Sequence, residues 1–145
     1  MTDNHWSKLP PGPQLRRIIA ERLGWHMRKI PVGHEGIAYD YLIYDNNDRF
    51  IYQREAKPDE LENEATIIDQ TWMAAVQDDE CPPWDEDLSE ALDLAYGMER
   101  EIWQENGTVY AWVKSTDYTA EADTEPLAVV RAWLAATADD PAYFH

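Results

Sequence analysis

The sequence predicts an α+β fold, an antiparallel sheet with helices packed on its faces. Three observations carry that reading. Strand pairs alternate with single amphipathic helices along the chain, the order of a layered sandwich. Two hairpin turns, Asn46-Asn47 and Asn106-Gly107, stand between segments rich in β-branched and aromatic residues. A length of 145 residues suits one domain, with enough chain to bury a core without disulfide staples.

Residues 1–12 are polar and read as a tail that stops in the rigid turn Pro10-Pro11-Gly12. Pro13 suits the first turn of a helix, where its missing N–H costs nothing. Leu15, Ile18, Ile19 and Leu23 form one apolar stripe, and Gly24 supplies the stop. A short strand follows from Trp25 to Ile30, then a loop over Pro31–Gly36. Ile37–Asp45 and Arg49–Arg54 read as a hairpin joined by Asn46-Asn47 in a type I′ turn. Tyr39, Tyr41 and Ile43 lie on one face of its first strand. Residues 55–64 are a charged approach. Leu61, Ala65, Ile68, Trp72 and Val76 then fit a helix, although Thr66–Val76 also fits a strand.

Asp78–Pro83 breaks the chain. A helix capped by Asp85 is expected to run to about Met98–Glu99, with Leu88, Ala91, Leu92 and Ala95 on its stripe. Asn106-Gly107 is the strongest two-residue hairpin signal in the chain. It joins Glu101–Glu105 to Thr108–Ser115, and Thr116–Asp123 reads as a polar loop. Thr124 caps a last helix with Pro126 in its first turn and Leu127, Val130, Trp133 and Leu134 facing inward. The domain is therefore expected over residues 13–138, with residues 139–145 as a second tail.

Charge narrows the function. Lys and Arg number 12 against 29 Asp and Glu, a net charge of −17. Such a chain is repelled by phosphate backbones and by anionic membranes, so neither nucleic acid nor membrane is an expected partner. A single Cys, Cys81, allows no internal disulfide and fits a reducing, cytoplasmic setting. No run approaches the length of a membrane span, and the start of the chain lacks the apolar core of a signal peptide. The acidity itself has three readings: solubility, adaptation to high salt, or a negative surface offered to a basic partner.

Catalytic and metal motifs are absent from the sequence. His5, His26, His34, Cys81 and His145 show no zinc spacing. Asp45 and Asp48 lack the Gly and distal Glu of a calcium loop. Ser7, Ser89 and Ser115 lie in no nucleophile elbow, and there is no phosphate-binding glycine loop. Neither cofactor nor metal is expected, and no catalytic residue is named. The 17 aromatic residues are the more informative excess. Trp25, Trp103 and Trp133 read as core. Trp72, Trp84, Trp112, Tyr39, Tyr41, Tyr44 and Tyr110 divide between core packing and exposed anchors.

Three segments then carry a family resemblance: Glu21–Trp25 (ERLGW), Pro82–Met98 (PPWDEDLSEALDLAYGM) and Ala122–Ala136 (ADTEPLAVVRAWLAA). Their order and character resemble the phage ABA sandwich domain family. Asp87 matches the acidic position of the second helix start, and Trp112 matches the hairpin aromatic. Thr124, Pro126, Leu127 and Arg131 match the last helix. The likeness covers Pro82–Ala136 and Arg16–Trp25. The 37–80 segment is longer than the family pattern, and Asp85-Glu86-Asp87 replaces a hydroxyl-rich helix start. The resemblance implies a three-layer α/β/α sandwich and a phage or prophage origin. It implies no activity, because the family is functionally undefined.

Together these points lead to an acidic, non-enzymatic accessory protein that binds a host or phage protein with a basic surface, such as a defence or regulatory protein. The expected binding residues are Asp78, Asp79, Glu80, Trp84, Asp85, Glu86, Asp87, Tyr110 and Trp112. One alternative is a binder of a nucleotide-like small molecule through Arg16, Arg28, Tyr39, Tyr41 and Arg131. Another is a structural, virion-associated domain. Homo-oligomerisation is left open.

Overall fold

The computed structural model describes residues 5–32, 38–114 and 117–138. Expectations that fall on Gly33–Ile37, Ser115, Thr116 and residues 139–145, including His34 and His145, lie outside the described residues. Among these described residues the fold is α+β, with four α-helices and two three-stranded antiparallel sheets. The strands thus divide between two sheets, β1-β2-β3 and β4-β5-β6, where one sheet was expected. Each sheet is a meander of consecutive strands, so every pairing is closed locally. The chain forms two compact units, residues 1–19 with 82–145 and residues 20–81.

In the first unit, α1 starts at Pro13 and runs to Leu23, crossing into the second unit's sequence. Leu15 and Ile19 are fully buried, as the stripe requires. Residues 5–12, read as a tail, are anchored at Trp6 and Leu9 while Lys8, Pro10 and Pro11 stay exposed. His5–Lys8 forms a 3-10 turn, Trp6 is buried, and its ring meets Tyr118 edge-on at 5.8 Å. The Arg131 guanidinium holds the Leu9 carbonyl at 2.9 Å, which fixes the segment ahead of Pro10.

Helix α3 covers Leu88–Leu94 only, and its cap is Asp87 rather than Asp85. The Asp87 carboxylate accepts the Glu90 N–H, the N3 donor of a capping interaction. The helix ends where Ala95 leaves the helical region at φ −94, ψ 18, and Gly97 at φ +80 completes the turn that leads away from it. Strands β4 (Arg100–Glu105) and β5 (Thr108–Val113) pair through the expected turn. Asn106 and Gly107 have φ 52 and 81, the two positive values that a type I′ turn needs. The expected loop after β5 contains a third strand, β6 (Ala120–Ala122), on the far edge of β5. Its alternation is too short to read by eye. Helix α4 (Glu125–Ala136) packs on β5 and β6 and also touches α3. It is apolar nearly all round, as a helix with neighbours on two sides must be; Leu127, Val130, Trp133 and Leu134 are all buried.

The second unit opens on the end of α1. Gly24 takes φ 105 and the Trp25 N–H reaches back to the Ala20 carbonyl while the Gly24 N–H reaches Glu21, the Schellman closure. Strand β1 (His26–Val32) extends into the expected loop, pairing with β2 (Ala38–Tyr44), which pairs with β3 (Phe50–Ala56). The β2–β3 loop is not the two-residue type I′ turn. Only Asp48 has positive φ, at 61. Asp45 is buried, and its carboxylate collects the N–H groups of Asn47 and Arg49 at 2.8 and 2.9 Å. That cradle favours a three-residue loop with a left-handed third residue.

A 3-10 turn over Pro58–Asn63 leads into α2 (Glu64–Ala75), which settles the 61–76 ambiguity as helix. Because α2 begins only at Glu64, its buried stripe is Ile67, Thr71, Trp72 and Ala75; Ala65 is exposed. Thr71 is kept satisfied by donating to the Ile67 carbonyl at 2.7 Å. Tyr41, Ala56 and Ile67 form the buried cluster between α2 and its sheet.

Candidate functional site

Alternation along β5 divides the second sheet into two faces. Val109, Ala111 and Val113 are buried on the side that α4 covers. Thr108, Tyr110 and Trp112 lie on the other side. Cross-strand pairing adds Glu101 opposite Trp112, Trp103 opposite Tyr110, and Glu105 opposite Thr108. On β6, Glu121 stands opposite Tyr110.

The Trp103 and Tyr110 rings stack at 5.7 Å with planes 15° apart. Trp103 is 36% exposed, while Tyr110 and Trp112 are half-buried. Glu101, Glu105 and Glu121 are all exposed around them. At one end Lys114 pairs with Glu99 at 3.3 Å, so its charge is met by a carboxylate. The result is an aromatic strip with a carboxylate border. The quadrupole of each ring offers a negative face, so rings and carboxylates attract the same kind of group, a cation with an apolar stem.

Tyr110 and Trp112, two of the expected contact residues, lie half-buried on this face. Trp103 was expected in the core, and this is a correction: β4 is an edge strand and leaves that ring half open. The missed signal is parity. Trp103 alternates in phase with Glu101 and Glu105, which marks its face as wet.

The acidic run is divided between the units, with Asp78, Asp79 and Glu80 in one and Trp84–Asp87 in the other. Asp79 and Glu80 are exposed, and Asp78 accepts the Glu80 N–H in a local turn. Two of the expected contact residues are interior instead. Trp84 is 5% exposed and Asp85 is fully buried. Asp85 Oδ2 accepts the Gly12 N–H at 2.6 Å, and its Oδ1 accepts Arg16 Nε at 2.7 Å. Arg16 also reaches the exposed Glu86 at 2.9 Å. Asp87 is the α3 cap. Asp85 ties this turn to Gly12 and Arg16, because a buried charge must find donors. Cys81 is buried.

The alternative residues are not gathered either. Arg16 and Arg131 belong to one unit, while Arg28, Tyr39 and Tyr41 belong to the other. A cavity of about 420 Å³ lined by Lys8, Pro11, Glu121, Asp123, Leu127 and Arg131 takes only Arg131 from that set. There the Arg131 Nη atoms hold the carbonyls of Glu121 and Leu9. Burial lowers the pKa of that guanidinium from its ordinary value. Arg28 lies over the Tyr44 ring at 4.8 Å and reaches Asp48. Among the described residues, no three His, Cys, Asp or Glu side chains converge as metal ligands would.

Tyr39 and Tyr41 join a different network. Lys29 Nζ donates to Glu64 at 2.6 Å, Tyr41 donates to the same oxygen at 2.8 Å, and Lys29 lies 4.3 Å from the Tyr39 ring centre. The network fastens α2 to its sheet. The bonds from Lys29 and Tyr41 hold the Glu64 carboxyl below its ordinary 4.5. The bond to Glu64 raises the Lys29 ammonium above 10.5, while burial, then the bond to Glu64, raises the Tyr41 phenol above 10.0. A depressed carboxyl stabilises the fold above its unfolded pKa, and that gain is lost as pH falls through the folded value. Raised groups act in the opposite sense, losing their contribution as pH rises through their folded values. The stability difference between the wild type and Glu64→Gln is expected to be present at neutral pH and to close below 4.5. It should shrink again above 10.5. Urea unfolding across pH reads it, and a pH-independent difference would contradict this account.

In comparisons with known proteins, the chain matches no protein-family model, no curated protein and no solved structure.

Proposed function

We propose that this chain is a non-enzymatic binding module whose open β4–β5–β6 face receives a basic surface of a partner protein. The observation that carries the reading is the half-exposed Trp103–Tyr110 stack bordered by Glu101, Glu105 and Glu121. Aromatic anchors within a polar rim are the usual source of binding energy at protein interfaces. The net charge of −17 adds long-range attraction, which raises the encounter rate with a basic partner and weakens with salt. The phage-type accessory role, directed at a host defence or regulatory protein, belongs to the same proposal. Its support is the residue resemblance of Pro82–Ala136 and Arg16–Trp25.

The test separates a specific face from bulk charge. A Lys- and Arg-rich peptide is titrated against the triple variant Glu101→Lys, Glu105→Lys, Glu121→Lys. The control triple, Glu62→Lys, Asp79→Lys, Glu80→Lys, changes net charge equally at exposed positions of the other unit. The face triple is expected to lose roughly tenfold or more in affinity, while the control loses no more than about threefold. Equal losses would reduce the effect to net charge and defeat the reading.

A further inference from the structure

We infer that the partner enters as an extended basic segment that adds a strand, antiparallel, to the outer edge of β4. This rests on the reading of the face as a site for a basic partner. Strand β4 ends its sheet, and among the described residues it pairs with β5 alone. The phase of its backbone follows from the hairpin. A two-residue turn makes Glu105 and Thr108 a hydrogen-bonded pair, and such pairs recur at every second residue. The Lys114 N–H donates to the Glu99 carbonyl at 2.9 Å, in the same phase. Glu101, Trp103 and Glu105 therefore turn their backbone groups toward β5. Arg100, Ile102 and Gln104 turn theirs outward, where a new strand would meet them.

Three features favour this edge. Exposed edges are ordinarily blunted by proline, lysine or a bulge. The edge strand β1 of the other sheet carries Lys29 and Pro31. Strand β4 (REIWQE) has neither residue and its register is unbroken; its charges are Arg100 and the acids Glu101 and Glu105, which oppose an acidic strand and admit a basic one. A concavity also lies along Glu101, Ile102 and Trp103. Charge selects the occupant. In an antiparallel addition, the residues opposite Glu101, Trp103 and Glu105 occupy non-hydrogen-bonded positions, where side chains approach most closely. Lys or Arg at every second position of the segment places cations against carboxylate, ring and carboxylate in turn. A second copy of this chain fits badly, because it would bring another row of Glu101 and Glu105 onto the same face.

The probe is a six-residue peptide, matched to β4 in length, with Lys or Arg at alternate positions and Thr or Val between. Its affinity is measured by calorimetry at low salt. N-methylation of the Thr and Val residues removes the N–H groups that would pair with β4 and is expected to weaken binding by about tenfold or more. N-methylation of the cationic residues, whose N–H groups point away, leaves affinity within about threefold. Gln104→Pro removes an outward N–H at an edge position that tolerates proline, and is expected to reproduce the first loss in a folded protein. Should that variant not fold, the methylated pair decides alone. Equal binding by both methylated peptides overturns strand addition. If the face triple still weakens the unmodified peptide, only the strand geometry has failed; if it does not, the proposed function has failed as well.

Discussion

Asp85→Ala is expected to destabilise the unit built from residues 1–19 and 82–145 by about 3–5 kcal/mol. The carboxylate is fully buried and accepts from the Gly12 N–H and from Arg16 Nε. The Arg16 side chain is itself 16% exposed. Removing the acceptor strands a backbone donor and leaves a largely buried cation facing the exposed Glu86, so desolvation is poorly returned. Glu86→Ala tests the contrast. Glu86 meets the same arginine, but its side chain is 61% exposed, so solvent screens the pair and the loss is at most about 1 kcal/mol. Urea unfolding of both variants measures the two effects. A midpoint for Asp85→Ala equal to that of Glu86→Ala would show that burial of the pair contributes nothing.

That ion pair also marks where the sequence stops being readable. Asp85 sits beside a helix start, and its local context favours a cap. Its actual donors lie at Gly12 and Arg16, about seventy positions earlier, and no local pattern records such a meeting. Features closed within a few residues were legible. Asn106-Gly107 and Gly24 tolerate the left-handed backbone their turns need, and Pro126 presets the first turn of α4, where Thr124 is the N-cap although its side chain makes no cap hydrogen bond. The Asp45 loop was misread because a buried carboxylate, and not the Asn46-Asn47 pair, dictates its hydrogen bonds. The division into two sheets was hidden because alternation reports a strand's faces but not its neighbours. Tyr110 and Trp112 were legible as candidate anchors. Trp103 was lost to the general rule that tryptophan is core, although the glutamates two positions away on either side point to the wet face.

Trp133→Ala and Trp103→Ala are expected to separate support from recognition. Trp133 is fully buried on α4, the helix that covers the inner face of the β4–β5–β6 sheet. Truncating it leaves a cavity among neighbours that relax only partly, at a cost of about 3–5 kcal/mol. Well below its lowered melting temperature, the folded fraction should still bind the alternating-cation peptide with near wild-type affinity, since the open face retains its rings and carboxylates. Trp103 is on the edge strand and 36% exposed, so its loss removes a stacking partner of Tyr110 and about 0.5–1.5 kcal/mol of stability. Its effect on affinity is the larger one, about 2 kcal/mol if the ring is a binding anchor. Thermal unfolding and titration of the two proteins give a crossed pattern under this account. Were Trp103→Ala to bind as tightly as the wild type, the strip would be a packing feature of an edge hairpin, and the partner surface would have to be sought elsewhere on the molecule.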